Sequence, residues 1–189
     1  MRVISGKYRG RTIQGPKHKG LRPTADRVKE ALFNIIGARI DGAAFLDLFA
    51  GTGGVGIEAL SRGAQAVVFS DVNPQSIKLL RQNLSFIDPE DNVRVLQLRA
   101  EKTLELMAKE KQQFDVIFVD PPYEAGLFEK TVRAIKELDV LKDDGILVVE
   151  HPNKIRDFLE EVPFVQLSTR SYGDIALTFL AYPHGDHDS

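Results

Sequence analysis

From about residue 43 onward, short apolar runs alternate with amphipathic stretches, the pattern of a doubly wound α/β sheet. The first run, Ala43-Ala44-Phe45-Leu46-Asp47-Leu48-Phe49, leads through a glycine-rich turn into a helix predicted over 55–62. Strands over 66–70, 93–98, 114–119 and 145–150 then alternate with helices over 74–86, 101–109 and 127–138. After a further helix over 154–160 the alternation ends. Two β-rich runs, 164–170 and 175–182, are separated only by Ser171-Tyr172-Gly173-Asp174, a link short enough for an antiparallel hairpin. The expected fold is a three-layer α/β sandwich on a mostly parallel seven-stranded sheet with one antiparallel strand.

Ahead of the sheet, residues 2–5 and 11–14 flank Gly6-Lys7-Tyr8-Arg9-Gly10 and predict a basic β-hairpin. Arg22-Pro23-Thr24 then opens a helix whose apolar positions Val28, Ala31, Leu32, Ile35 and Ile36 recur at helical spacing. The expected organisation is a hairpin over 1–20, one α/β domain over 21–183 and a flexible polar tail over 184–189.

Length and composition alter this picture little. The chain has 189 residues, 43% hydrophobic and 28% charged, as in ordinary single-domain proteins. No apolar run approaches the ~20 residues of a membrane span, and the first residues lack a signal-like apolar segment, so a cytoplasmic protein is expected. Cysteine is absent, which excludes disulfides, thiolate metal sites and a Cys nucleophile. The four histidines are scattered and no metal site is expected. Charge changes more. Residues 1–30 carry nine basic side chains against two acidic ones, while the remainder carries 16 against 25. A +7 segment on a −9 body suits one end of the molecule to a polyanion.

Gly51-Thr52-Gly53-Gly54-Val55-Gly56 follows a predicted strand and opens a helix, so a ligand can approach bare backbone at the helix N-terminus. Asp71, 20 residues after Gly51 and at the end of the next strand, is placed to accept hydrogen bonds from ribose hydroxyls. Both features fit either NAD or S-adenosylmethionine. Asp47, four residues before the glycines, would repel a pyrophosphate and attract a methionine ammonium.

The strand over 114–119 delivers Asp120-Pro121-Pro122-Tyr123 at its carboxyl end, the edge where open α/β sheets bind ligands. An exocyclic base amine is conjugated to its ring and is a poor nucleophile. The Asp120 carboxylate and the Pro121 carbonyl can each accept one amino hydrogen, drawing the nitrogen toward tetrahedral geometry, and the prolines stiffen the loop in advance. Tyr123 offers a face on which an extruded base can stack, worth about 1–3 kcal/mol. Without cysteine, the covalent route to cytosine C5 is closed.

Asp47-Leu48-Phe49-Ala50-Gly51-Thr52-Gly53 resembles motif I of class I methyltransferases, and Asp120-Pro121-Pro122-Tyr123 resembles the D/N-P-P-Y/F/W motif of amino-methyltransferases. The opening, residues 2–11 together with 21–35, resembles that of the RsmD family of 16S ribosomal RNA guanine-N2 methyltransferases, and the likeness spans nearly the whole chain. It implies a class I, Rossmann-like methyltransferase fold, S-adenosylmethionine as cofactor and 16S ribosomal RNA as partner, within an assembling small subunit, met by a monomer. Catalytic roles fall to Asp120, Pro121 and Tyr123. Cofactor contacts fall to Asp47, Gly51, Gly53, Thr24, to Asp71 and Asn73 on the ribose side, and to Ala100 and Glu101 beside the adenine. Glu101 is equally readable as a helix-start carboxylate. RNA contacts are expected from Arg2, Lys7, Tyr8, Arg9, Arg11, Arg22 and Arg27, with Arg22, Thr24 and Arg27 able to form a lid over the cofactor. His151 is placed either near the base pocket or as a strand-end surface histidine. The alternatives are an adenine-N6 nucleic-acid methyltransferase and a non-catalytic RNA-binding or ribosome-assembly protein on the same scaffold. An NAD dehydrogenase is disfavoured by Asp47.

Overall fold

The computed structural model describes residues 1–15, 23–122, 126–154 and 162–183, with backbone alone for 23–25. The helix expected over 154–160 lies, but for Lys154, outside these residues, as do Tyr123, Arg22 and the tail over 184–189.

Seven strands form one sheet: β1 (Ala44–Leu48), β2 (Ala66–Ser70), β3 (Asn92–Leu96), β4 (Phe114–Val119), β5 (Leu141–Pro152), β6 (Val165–Tyr172) and β7 (Ile175–Ala181). Their order is β3-β2-β1-β4-β5-β7-β6. All contacts from β3 to β5 are parallel, and β7 is inserted antiparallel between β5 and β6. The expected reversed strand is therefore β7, reached by the tight turn at Gly173. β5 is longer than its apolar run suggests. Leu141 pairs with Phe114 and Ile146 with Val116, so the polar stretch between them bulges within the strand.

Period-two alternation divides the core between the two sheet faces. Phe45, Val67, Phe69, Val116, Phe118, Ile146 and Val148 meet α1 (Pro23–Ile36), α2 (Gly54–Ser61) and α3 (Pro74–Asn83) on one face. Leu46, Val68, Ile117, Val119, Leu147 and Val149 meet α4 (Ala100–Lys109) and α5 (Leu127–Glu137) on the other. Each such side chain, fully buried, contributes about 1.5–3 kcal/mol from removal of apolar surface from water. In α1 the buried stripe is Val28, Leu32, Phe33 and Ile36; Ile35, expected in it, is 40% exposed, while Phe33, stacked on Phe45, is buried.

Residues 1–15 do not form a free two-stranded hairpin. One antiparallel bridge joins Arg2 and Thr12, and the loop between them is fastened to α2. Glu58, fully buried, accepts the backbone N–H groups of Ile4 (2.8 Å) and Ser5 (3.0 Å). The Ser61 carbonyl accepts Lys7 N–H at 2.7 Å. Gly6 (φ +85°) lies so close that an added Cβ would sit 1.6 Å from the Ser61 oxygen, and Val3, Tyr8 and Ile13 join the core.

Candidate active site

The chain runs from β1 toward β2 and β3 on one side and from β4 toward β5 on the other, so β1 and β4 flank the point where the strand order reverses. A crevice opens there at the carboxyl ends of the strands. It encloses about 270 Å³ and is lined by Asp47, Gly51, Thr52, Gly54, Asp120 and Glu150, with walls from Phe49, Val28, Leu32 and Lys29.

The loop after β1 is held open by unusual backbone. Phe49 adopts φ +74°, costly for an aromatic residue, and its N–H and that of Ala50 both donate to the Ser70 carbonyl of β2. Gly53, the residue before α2, has φ +83°, and a Cβ there would strike Leu80 at 2.2 Å. Asp71 ties the loop to β2: its Oδ2 accepts Gly51 N–H at 2.8 Å and its Oδ1 accepts Asn73 N–H at 2.8 Å.

Three carboxyl groups face the crevice. Asp47, 2% exposed, accepts Gly56 N–H at 2.9 Å, yet burial, with Asp120 and Asp71 nearby, pushes its pKa up to about 7. Asp120 is reached by solvent through the crevice, but protein rings it closely enough to strip hydration and raise its pKa. Glu150, half-buried, is raised by lost hydration and then by Asp120. A crevice whose carboxyls are held partly protonated by burial and mutual repulsion suits a cationic ligand. S-adenosylmethionine carries an ammonium and a sulfonium, and the charge, the bare glycine backbone and Asp71 fit it. Among the described residues no three His, Asp or Glu side chains converge closely enough to hold a metal ion.

The fold brings Asp47, Gly51 and Asp120 to one crevice, with Gly53 and Asp71 supporting its loop. Pro121 is buried beside Asp120, while Tyr123 and the Thr24 side chain are outside the described residues. Asn73 caps α3, its Oδ1 accepting Gln75 and Ser76 N–H. Ala100 and Glu101 begin α4, where Glu101 pairs with Lys130, whose hydrogen bond holds that carboxyl below its ordinary pKa. His151 is not a strand-end surface histidine: it is 2% exposed within the sheet, directly after the crevice-lining Glu150. Its Nδ1 lies 2.9 Å from the Pro152 carbonyl, which can only accept, so Nδ1 carries the proton; Nε2 meets the Thr178 hydroxyl at 2.8 Å.

The basic segment is also sorted by the fold. Arg2, Arg9, Arg11 and Arg27 are exposed, Arg11 lying over Phe86. Tyr8, expected as a stacking face, is 7% exposed; its hydroxyl pairs with Asp91 and accepts Asp88 N–H at 2.9 Å. Lys7 contacts the same two aspartates, at 3.3 and 3.4 Å. Lys29 is buried between Glu58 (3.3 Å) and the Arg2 carbonyl (2.7 Å), with burial lowering its pKa, and so contributes nothing to an external basic surface. Glu150 and Lys29 line the crevice without having been singled out from the sequence. Both carried a signal: Glu150 is in phase with Ile146 and Val148, and Lys29 falls on the apolar stripe of α1.

A family described as "Conserved hypothetical protein 95" matches residues 1–181. Ribosomal RNA small subunit methyltransferase D of Escherichia coli is 36% identical over 163 residues, 86% of this chain and 79% of its own length. The chain belongs to the RsmD family. YlbH of Bacillus subtilis is 38% identical over 178 residues, covering 94% of this chain and 91% of the relative. The solved structure of Escherichia coli yhhF superposes with a TM-score of 0.81 at 32% identity, over 96% of this chain and 98% of that one. With the strand order, these place the RsmD-family chain in the class I methyltransferase fold.

Proposed function

We propose that this protein transfers a methyl group from S-adenosylmethionine to the exocyclic N2 amine of a guanine in small-subunit (16S) ribosomal RNA. The observation that carries the reading is the meeting, in one crevice, of the glycine loop, the buried Asp47 and Asp120 of Asp120-Pro121-Pro122-Tyr123. The name of the Escherichia coli relative supports ribosomal RNA as the polymer, and the exposed Arg2, Arg9, Arg11 and Arg27 supply phosphate contacts.

Bound S-adenosylmethionine supplies an electrophilic methyl on a sulfonium. The chain's own groups do the rest. Asp47 and the loop of Gly51 and Gly53 hold the cationic amino-acid end, and Asp71 receives ribose hydroxyls on the lone pairs its backbone contacts leave free. Asp120 and the Pro121 carbonyl accept the two amino hydrogens of the base, which frees the nitrogen lone pair for in-line attack. Once methylated, the nitrogen is acidic and its proton passes to Asp120 or water. Orientation, more than acid–base strength, lowers the barrier.

The test is to incubate the protein with labelled S-adenosylmethionine and undermethylated small subunits, digest the RNA and identify the labelled nucleoside. N2-methylguanosine is expected; N6-methyladenosine, or no transfer, overturns the reading. Assembling particles should be methylated faster than naked RNA, because the small N-terminal platform leaves much of target choice to particle shape.

A further inference from the structure

The register of β4 and β5 pairs Val119 with Val149, so the next residues, Asp120 and Glu150, stand side by side on adjacent strands, ~4.8 Å apart at the backbone. Both line the same crevice. Glu150 is in phase with Ile146 and Val148, which places it on the face of Asp47 and Asp120. Among the described residues its carboxyl makes no hydrogen bond and no ion pair, although it is half-buried and repelled by Asp120. A structural carboxylate at such a position would be paired, since a half-buried unpaired charge is costly. This one is an unused acceptor next to the group that grips the reacting amine.

Resting on the guanine-N2 reading, we infer that Glu150 determines base specificity by accepting the ring N1–H of the target guanine while Asp120 holds the adjacent 2-amine. On guanine's Watson–Crick edge the N2 and N1 donors are neighbours, and two side-by-side carboxyls match two side-by-side donors. Adenine presented through its amine places a lone pair at the corresponding ring nitrogen and offers Glu150 no hydrogen. A site built around a substrate N–H strongly rejects analogues that lack it.

The probe is 2-aminopurine, which keeps the 2-amine but has a lone pair at N1. The guanine methylated by the wild-type protein is mapped and replaced by 2-aminopurine in a small-subunit RNA fragment, and transfer to the two fragments is compared. The wild type should prefer guanine by at least about 100-fold. In E150A the preference should fall below about 10-fold, with guanine transfer itself greatly slowed. In E150Q the amide oxygen still accepts N1–H and the amide nitrogen can donate to the 2-aminopurine lone pair, so transfer to guanine survives and transfer to 2-aminopurine rises. E150Q removes an unpaired carboxyl and should fold at least as stably as the wild type, which a urea unfolding curve checks. An E150A preference equal to that of the wild type, or a wild type indifferent to 2-aminopurine, overturns this inference and leaves the guanine-N2 reading intact. A wild-type product other than N2-methylguanosine removes both.

Discussion

Asp47 Oδ2 accepts the backbone N–H of Gly56 across 2.9 Å, tying the end of β1 to the first turn of α2 beneath the glycine loop. This single hydrogen bond does not offset the burial of the carboxyl, whose pKa is pushed up from 3.8 to about 7. Between these values the folded chain retains a proton that the unfolded chain has released. The folded state without ligand therefore loses stability as pH rises through this window, by up to about 4 kcal/mol when the shift is complete. Asp47→Asn keeps the acceptor for Gly56 and removes the ionisation. Urea unfolding should find it more stable than the wild type by roughly 2–4 kcal/mol at pH 8, with little difference at pH 4. A cation bound beside Asp47 favours its ionised form, so S-adenosylmethionine affinity in the wild type should weaken as pH falls below about 7, and in the Asn variant it should be low and less steeply dependent on pH, with only Asp120 and Glu150 left to titrate in the crevice.

Asp120 has a different task, and its variants separate hydrogen-bond acceptance from charge. Asp120→Ala removes one of the two acceptors for the amine and should lower kcat by roughly 10²–10³. Asp120→Asn keeps a carbonyl oxygen and should fall between Ala and the wild type. Cofactor and RNA affinities should change far less than kcat in both. Single-turnover methyl transfer, with cofactor affinity measured by calorimetry, makes the comparison; an Asn variant as slow as Ala would show that charge, not acceptance, is the requirement.

Much of this architecture was legible because the sheet is written in period two. Val116-Ile117-Phe118-Val119 sends alternate residues to opposite cores, and the residue that breaks the apolar run, Asp120, is the one left at the ligand edge. What was not legible depended on long-range contacts. Counting charges treats Lys7, Arg9, Arg11 and Lys29 alike, but Glu58 takes Lys29 into the core and Asp88 with Asp91 takes Lys7, leaving the arginines outside. Residues 141–145, polar and ending in glycine, resemble a turn, yet Leu141 pairs with Phe114 and the rest bulges within β5. Tyr8 and His151 read as surface or pocket residues because the Asp91 and Thr178 partners that bury them lie 83 and 27 positions away.

Glu58 is the hub of the N-terminal attachment. Its carboxylate takes Ile4 N–H, Ser5 N–H, Arg62 Nε at 2.8 Å and Lys29 Nζ at 3.3 Å, all at a fully buried position. Lys29→Met leaves this charge with fewer partners and also orphans the Arg2 carbonyl. Stability should fall by about 3 kcal/mol, and hydrogen exchange at Ile4 and Ser5 should accelerate more than at the strands of the sheet. Equal protection at both amides in the variant would show that Arg62 alone holds the segment.

Two glycines of that segment share φ +85° but differ in surroundings, which separates backbone strain from steric exclusion. At Gly10 an added Cβ meets nothing within 4 Å, so Gly10→Ala should cost only the left-handed penalty, about 1–2 kcal/mol. At Gly6 the Cβ would lie 1.6 Å from the Ser61 carbonyl oxygen, and backbone must move. Gly6→Ala should cost clearly more in urea unfolding and should expose Tyr8, seen as a change in its near-ultraviolet signal.

Arg9 and Arg11 project from the loop that Glu58 and Ser61 hold in place, and both are exposed, whereas the equally exposed Lys7 is shared between Asp88 and Asp91. A cation already neutralised by two carboxylates releases few counterions from RNA. Binding of small-subunit RNA, followed by fluorescence anisotropy over a salt series, should reflect this inequality. Each of Arg9→Ala and Arg11→Ala should weaken binding and flatten the dependence of log K on log salt by about 0.7–0.9. Lys7→Ala should change the slope by much less, because its ammonium is already neutralised by Asp88 and Asp91 and is not offered to phosphate. The Arg9 and Arg11 losses should appear in the KM for RNA and leave transfer from the bound complex intact, since neither side chain lines the crevice. A Lys7 slope change as large as that of the arginines would mean that RNA displaces Asp88 and Asp91 and that the loop re-pairs on binding.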